Sequence, residues 1–167
     1  MVGVSSVAAR VDSDDQLARL LQIGIVLEEV VEARSYHHYQ SLDDAPKLDP
    51  EIESLLEHAA AESAEHRERL EALVDELDAE SIPFDEIEAL VQAQYGGTEP
   101  EDFDDILYDQ LCNEETAYKF YDDLIGALRA SDESFGIDRD HLIDTLVEIR
   151  EEEADGVEEV TKLMNNR

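Results

Sequence analysis

The chain has 167 residues, of which 43% are hydrophobic, so it is long enough to fold as one domain with a substantial core. It carries 45 acidic and 12 basic residues, and the formal net charge of −33 disfavours direct binding to nucleic acid or to an anionic membrane. A single cysteine, Cys112, excludes a disulfide framework and a rubredoxin-type iron site within the chain.

The first half of the sequence predicts a short arm and two long helices. Residues 1–13 are small and weakly patterned, without the features of a signal peptide, and we expect a flexible N-terminal arm there. Helix start signals at residues 12–14 open the first helix, which runs to about Gln40. The second helix begins at Pro50, since proline is favoured in a first turn, and ends near Glu80. The short link makes these helices antiparallel neighbours.

The second half predicts two further long helices after a long connection. That connection carries a short amphipathic helix between residues 83 and 95. The third long helix begins near Glu99 and runs to about Ala130, and Asp138 caps the fourth after a turn. No stretch shows the alternation of a β-strand. Residues 14–165 therefore predict an all-α, up-and-down four-helix bundle with one long crossover between the second and third helices.

Polar residues interrupt the apolar faces of these helices. His66 lies within the apolar stripe of the second helix, Glu114 within that of the third and Glu153 within that of the fourth. Glu32 lies at the edge of the first stripe, and Glu62 precedes His66 by one turn. A buried carboxylate is costly unless it is neutralised, paired or bound to a metal. We therefore predict that these five side chains converge at one level of the bundle as metal ligands.

A sequence pattern in the first half recurs in the second half. The segments Glu32–Tyr39 and Glu114–Tyr121 both follow the pattern Glu-x-x-small-Tyr-x-x-Tyr, 82 residues apart. This spacing suggests two similar helical hairpins with one shared site at their pseudo-symmetry axis. Glu28, one turn before Glu32, is a weaker candidate ligand. The tyrosines of the repeat are interpreted as core residues whose hydroxyl groups bond the carboxylates of the site.

With these residues, the chain resembles the ferritin-like superfamily over about residues 14–165, and rubrerythrin-type and encapsulated-ferritin-type proteins come closest. The resemblance rests on Glu62-Ser63-Ala64-Glu65-His66 and on Glu114-x-x-Ala117-x-x-x-Tyr121. It implies that Glu32 and Glu114 are the single helical glutamates of the family, and that His66 is the histidine of its Glu-x-x-His motif. The chain departs from the family at Ser63, where a bridging glutamate is expected, and at residues 151–155, which contain no histidine.

The resemblance implies a dinuclear iron centre, with manganese or an incomplete centre as alternatives. Carboxylates together with an imidazole suit either metal. Such a centre would oxidise Fe(II) with oxygen or peroxide, for iron handling or defence against oxidative stress. For the peroxide reduction that resemblance to rubrerythrins implies, electrons would come from a separate donor protein, because the chain lacks a rubredoxin-type site. The alternative is a non-catalytic bundle with a degenerate site, which serves assembly, for example as cargo of a protein shell.

Apolar residues of the first helix extend beyond a single stripe. Ile23, Ile25, Val26 and Val30 join the residues of its apolar face. Because one bundle interior does not easily cover all sides of a helix, we expect a homo-oligomer, at least a dimer.

The acidic residues are interleaved with regular apolar positions along the whole chain. A disordered acidic chain would lack this periodicity, so we interpret the protein as folded, with an acidic surface. Self-repulsion is tolerable where salt screens it, since the Debye length is about 3 Å at molar salt. No apolar run reaches the length of about 18 residues that a membrane span needs. We therefore expect a soluble protein of a salt-accumulating, halophilic cytoplasm.

Thermal unfolding in a salt series tests this interpretation. The midpoint is expected to fall steeply below about molar salt, because a longer screening distance increases repulsion within a chain of net charge −33. A midpoint that does not change with salt would contradict the halophile interpretation and leave the acidic surface unexplained.

Overall fold

In a computed structural model, which describes residues 11–42, 50–77 and 103–165, the chain is entirely helical and contains no strand in these ranges. Within them the helices are α1 (Asp14–Leu42), α2 (Pro50–Glu76), α3 (Phe103–Ala130) and α4 (Arg139–Asn165). The all-α prediction is confirmed for this part of the chain, although α2 ends earlier than the predicted Glu80. The predicted short helix at residues 83–95 and the predicted start near Glu99 lie outside the described residues. None of the described helices has the length and apolarity needed to cross a membrane.

Side chains next to the first residues of α1 and α4 explain where these helices begin. The Gln16 amide donates to Ser13 Oγ at 3.2 Å, which satisfies one of the free amide groups in the first turn of α1. The His141 amide donates to Asp138 Oδ2 at 3.0 Å in the same way at the start of α4. Both caps fall on residues that the sequence marks as helix starts.

The directions of the four helices follow from contacts at one end of the bundle. The Gly136 amide, just before α4, donates to Asp14 Oδ1 at the start of α1 (3.0 Å). The Ser131 hydroxyl, just after α3, donates to the carbonyl of the buried Val11 (2.9 Å). Leu77, just after α2, lies against Gly136 as well. The chain therefore leaves α2 at this end and enters α3 at the opposite end, about 40 Å away for helices of this length.

Each helix packs against two neighbours, and their buried apolar side chains form two clusters. α1 lies against α2 and α3, and α4 lies against the same two helices. The larger cluster draws on all four helices at the end where α1 begins. The smaller cluster lies toward the other end of the bundle and consists of Ile52, Leu55, Leu56, Leu107 and Val160. The residues between the two clusters are polar.

Arginine side chains connect neighbouring helices at the partly exposed edges of the bundle. In the described part of the chain four such pairs join different helices: Arg67–Glu32 (2.7 Å), Arg69–Glu152 (3.1 Å), Arg69–Glu148 (3.8 Å) and Arg150–Asp122 (2.9 Å). Partly exposed pairs of this kind contribute at most about 1 kcal/mol each. Their importance here is that basic residues are scarce, so few attractive contacts offset the repulsion between acidic helices.

The single chain already covers the apolar residues of α1 that extend beyond its stripe. Ile25, Val26 and Val30 are all buried, and Ile23 is half-buried against the larger cluster. The surplus of apolar residues on this helix therefore does not require a second subunit to cover it. A homo-oligomer stays a prediction, but this argument no longer supports it.

Two glycines inside helices provide a test of the packing around α1. A Cβ atom at Gly24 would lie 3.2 Å from both Leu70 Cδ1 and Phe120 Cε2, whereas a Cβ atom at Gly126 would meet no described atom within 4 Å. Gly126→Ala is expected to raise the free energy of unfolding by about 0.5–1 kcal/mol, through lower backbone entropy in the unfolded chain. Gly24→Ala is expected to lower it by about 1 kcal/mol or more, through overpacking. Urea unfolding in molar salt measures both changes, and equal stabilisation by the two variants would contradict the close approach of α1 to α2 and α3.

Candidate metal centre

A layer of buried polar side chains separates the two apolar clusters, and all four helices contribute to it. Its members are at most 4% exposed, and they are Glu28 of α1, Ser63 and His66 of α2, Gln110 and Glu114 of α3, and Glu153 of α4. Each of them lies on the inward face of its own helix, at the level where the apolar side chains are interrupted. The layer therefore brings three carboxyl groups and one imidazole into a site without access to bulk water.

Three of these side chains meet at one point. His66 Nδ1 lies 3.0 Å from Glu153 Oε1 and 3.3 Å from Glu28 Oε2. One ligand atom from each residue lies within 4.8 Å of the other two. Ligands at 2.0–2.2 Å from a common ion lie about 3–4 Å apart, so a small adjustment would place all three around one metal.

Tyr121 orients the Glu28 carboxylate. Its hydroxyl donates to Glu28 Oε2 at 2.5 Å, and both side chains are fully buried. The Tyr121 ring packs edge-on against Phe120, with centroids 5.4 Å apart. Burial, followed by the nearby charge of Glu28, raises the pKa of Tyr121 well above its usual value, so the hydroxyl stays a donor. The other oxygen, Glu28 Oε1, has no hydrogen-bond partner among the described residues.

Glu114 lies in a space that Gly156 leaves free. The Gln110 side chain donates to Glu114 Oε1 at 3.1 Å. A Cβ atom at Gly156 would lie only 2.6 Å from Glu114 Oε2, so no larger residue fits there without displacing this carboxyl group. Glu114 Oε2 is itself buried and accepts no hydrogen bond within the described part of the chain. The absence of a side chain at Gly156 of α4 thus provides the space that the Glu114 carboxyl group of α3 occupies.

Two carboxyl groups of the layer, those of Glu114 and Glu153, hold protons more tightly than usual. Burial raises the pKa of Glu114, and it raises the pKa of Glu153 well above its usual range, with the charge of Glu28 and the contact with Glu114 adding to the effect. Burial alone would lower the pKa of His66, but the hydrogen bond and charge of Glu28, then the charges of Glu62 and Glu152, outweigh it and raise this pKa. Negative charge is in excess in the layer, and protons partly neutralise it.

The donor atoms of the layer fit a bound cation. Glu28 Oε1, His66 Nε2 and Glu114 Oε2 are buried and lack hydrogen-bond partners among residues 11–42, 50–77 and 103–165. Unsatisfied buried acceptors are rare in native proteins, because each loses its hydration without replacement. A divalent cation would satisfy such atoms and neutralise the excess charge. The arrangement can therefore hold a metal ion.

The structure brings together some of the residues that the sequence marks as ligands. His66, Glu114 and Glu153 lie in the layer. Glu62 lies at its edge, 16% exposed and 3.3 Å from His58, and burial raises its pKa to about 7. Glu32 does not reach the layer, because it pairs with Arg67 at the edge of the bundle.

Of the tyrosines in the repeated pattern, two are placed by the structure. Tyr121 bonds a site carboxylate, as the sequence interpretation expects, while Tyr118 is 36% exposed. The side chains of Tyr36 and Tyr39 lie outside the described residues.

Glu28 takes the position that the sequence analysis assigned to Glu32, and the helix bounds contain a signal for it. α1 ends at Leu42 and α2 begins at Pro50, so in an antiparallel pair these residues lie at about one level. His66 follows Pro50 by 16 residues and is therefore level with Val26. Glu28 is about 3 Å from that level along the helix axis and Glu32 about 9 Å. Counting residues along both helices from their connecting loop therefore selects Glu28 as the partner of His66, whereas the repeated sequence pattern selects Glu32.

Comparison with known proteins gave no relative. No family model matches the chain, and searches of curated proteins and of solved structures found no match. Resemblance to the ferritin-like superfamily therefore rests on the motifs of the sequence alone. The buried Glu–His–Glu group, in contrast, is a property of the folded chain.

Chelator-treated protein is expected to lose stability as the pH rises from about 5 to about 8. A carboxyl group whose pKa is raised in the folded state makes folding less favourable as the pH rises from its pKa in the unfolded chain to its pKa in the folded chain. For Glu62 this loss of stability extends from pH 4.5 to about pH 7. Glu114 and Glu153 shift in the same direction. The raised pKa of His66 contributes stability that is fully present below 6.5 and is lost as the pH rises through its folded value.

Thermal midpoints measured at several pH values in molar salt test this expectation. Glu153→Gln should give a flatter profile than the wild type, because it removes one of these titrations without removing the hydrogen-bonding shape. Each kcal/mol of lost stability corresponds to about 2–4 °C in the midpoint. A wild-type midpoint that rises with pH over this range would contradict the electrostatic description of the layer.

Proposed function

We propose that the protein is a ferritin-like iron-handling protein, which binds iron at Glu28, His66 and Glu153 and oxidises Fe(II) with oxygen or peroxide. The observation that supports this proposal is a fully buried histidine, whose Nδ1 lies within 3.3 Å of carboxylates from two other helices. Three carboxyl groups and one imidazole form a donor set that suits Fe(II) and Mn(II) better than softer metals. Iron held there would supply the redox chemistry.

Other residues of the layer would support this activity. Tyr121 fixes the orientation of Glu28, and Gln110 fixes that of Glu114. The apolar clusters on both sides keep bulk water away from the ligands. The pKa values of Glu114 and Glu153 are raised, and a metal would displace protons from its ligands, so binding should release protons and depend on pH.

Resemblance to the ferritin-like superfamily implies a second iron ion. This ion would have fewer buried ligands than the ion at Glu28, His66 and Glu153. Glu62, Glu114 and Glu152 are the remaining carboxyl groups near His66. Ser63 stands where the family has a bridging glutamate, and its hydroxyl is buried in the layer. Ser63→Glu should therefore add the missing bridging ligand and tighten binding of a second ion.

A non-catalytic bundle is the second candidate function, and the hydrogen bonds of the layer favour it. His66 Nδ1 lies within hydrogen-bond distance of Glu28 and Glu153, Tyr121 donates to Glu28, and Gln110 donates to Glu114. Such a network can specify helix register without binding any ion. The protein would then serve assembly, for example as cargo of a protein shell, and the polar layer would be structural.

The wider setting of the proposed activity follows from composition. When Fe(II) is oxidised by oxygen or peroxide, Fe(II) itself supplies the electrons. Repeated reduction of peroxide at a resident iron centre would instead need a separate donor protein, because one cysteine cannot form a rubredoxin-type site. The acidic surface favours a salt-rich cytoplasm as the place of action. We also propose that the protein forms a homo-oligomer, at least a dimer.

Two carboxylates one turn apart on α1 provide a matched test of the centre. Anaerobic Fe(II) or Mn(II) is titrated into chelator-treated protein in molar salt, and bound metal is measured by equilibrium dialysis. Glu28→Gln and His66→Gln are expected to weaken binding by more than about ten-fold, because each removes a ligand. Glu32→Gln is the control, since it removes an equal charge from a carboxylate that pairs with Arg67 outside the layer. It should bind as the wild type does.

The outcomes separate the two candidate functions. Metal binding that Glu28→Gln abolishes and Glu32→Gln preserves, together with oxygen consumption after Fe(II) addition, supports the iron-handling proposal. A wild-type protein that binds neither metal, or equal losses in the two variants, contradicts the centre and favours the non-catalytic bundle.

A further inference from the structure

The two ring nitrogens of His66 face two different sets of carboxylates. Nδ1 faces Glu28 and Glu153 inside the layer. Nε2 is buried and lies 3.5 Å from Glu152 Oε1, longer than a good hydrogen bond, and it has no hydrogen-bond partner in the described part of the chain. Glu62 interacts electrostatically with His66, Glu114 and Glu152. A second, outward-facing group of donors therefore adjoins the centre.

Glu152 links this outward-facing group to the protein surface. It is 31% exposed, and its carboxylate is held by Arg69, with Nη1 at 3.1 Å from Oε2 and Nη2 at 3.5 Å from Oε1. The oxygen nearest to His66 Nε2 is also Oε1. The Glu152 carboxylate thus contacts both Arg69 at the surface and the buried imidazole of His66. A rotation of this side chain would move the carboxylate from Arg69 toward His66.

A line of donors along α2 runs from a surface groove inward to His66. His58, Glu62 and His66 follow one another at intervals of four residues, and their exposed fractions fall from 62% to 16% to 0%. His58 lines a surface groove together with Glu159 and Lys162 of α4. His58 Nε2 lies 3.3 Å from Glu62. Polar side chains on one face of α2 therefore lead from the exposed His58 to the buried His66.

We propose that divalent cations reach the centre along this line of donors, and that they bind first at an outer position formed by His66 Nε2 and Glu152, whose Oε1 lies 3.5 Å away. The proposal rests on the proposed function, because it needs an inner metal site as the destination. A neutral imidazole offers one lone pair at a time, so the outer position is occupied only in passing. While the ion is outside, Nδ1–H donates to a carboxylate of the layer. When the ion moves inward to Nδ1, the proton moves to Nε2 and is donated to Glu152.

An entry residue and a supporting residue have different kinetic signatures. Removing an entry ligand slows association and dissociation by the same factor, so the dissociation constant stays nearly constant. Removing a residue that merely supports the inner site raises the dissociation rate and leaves association unchanged, which is the usual effect of weakening a binding site. Glu152→Gln separates these roles, because it keeps the size and the hydrogen-bonding shape of the side chain.

The experiment mixes Mn(II) with chelator-treated protein in molar salt and follows free Mn(II) with a fluorescent indicator by stopped flow. Glu152→Gln is expected to slow association and dissociation about ten-fold each, with the dissociation constant changed less than about three-fold. Glu148→Gln is the matched control. Glu148 lies one turn before Glu152 on α4, 71% exposed and 3.8 Å from the same Arg69, and its loss should leave both rates unchanged.

A second variant tests the entry route in the opposite direction. Arg69→Gln frees the Glu152 carboxylate, so association should become faster than in the wild type. Unchanged association in Glu152→Gln, or equal slowing in Glu152→Gln and Glu148→Gln, overturns the entry route while the inner centre stands. A wild-type protein that binds no Mn(II) or Fe(II) at equilibrium overturns the centre, and the route with it.

Discussion

The burial of three carboxyl groups and an imidazole between two apolar clusters is the constraint on which the rest of the fold depends. Each of these groups loses hydration, and the carboxyl groups also repel one another. The layer is tolerable only if all four helices bring their polar residue to the same level, where hydrogen bonds, protons or a cation can compensate. Helix register is therefore fixed by chemistry at the centre as well as by apolar packing at the two ends. Tyr121 and Gln110 serve this layer by direct hydrogen bonds, and Gly156 by leaving space.

The protein faces two electrostatic problems that respond to different conditions. Acidic residues outnumber basic residues by 45 to 12 in the whole chain. At the surface they repel one another, and dissolved salt screens this repulsion because solvent lies between the charges. In the layer, salt cannot enter, so the excess charge is reduced only by protons or by a bound ion. Arginines lie at the boundary between these regions. Arg69 neutralises Glu152 at the edge of the centre, and Arg67 holds Glu32 away from it.

The sequence predicted the helices well because long apolar stripes at the helical period leave little choice of secondary structure. It also identified His66, Glu114 and Glu153, since each interrupts such a stripe. Glu28 was harder to choose, because Glu28 and Glu32 are one turn apart and flank the same helix face. The repeated pattern aligned Glu32 with Glu114, but the level of a residue in an antiparallel pair depends on its distance from the connecting loop. The same count applied to α3 and α4 places Glu114 level with Asp155, close to Glu153.

The donor atoms of the layer come from both hairpins. In di-iron carboxylate bundles, a Glu-x-x-His motif is contributed by each of two helices. Compared with that motif, α2 has the histidine, His66, with Ser63 at the glutamate position, whereas α4 has Glu153 with Gly156 at the histidine position. Each hairpin therefore holds half of one motif, and the two halves meet at His66 Nδ1 and Glu153 Oε1. Neither hairpin alone assembles the donor set, so an ion bound at this point would stabilise the packing of one hairpin against the other.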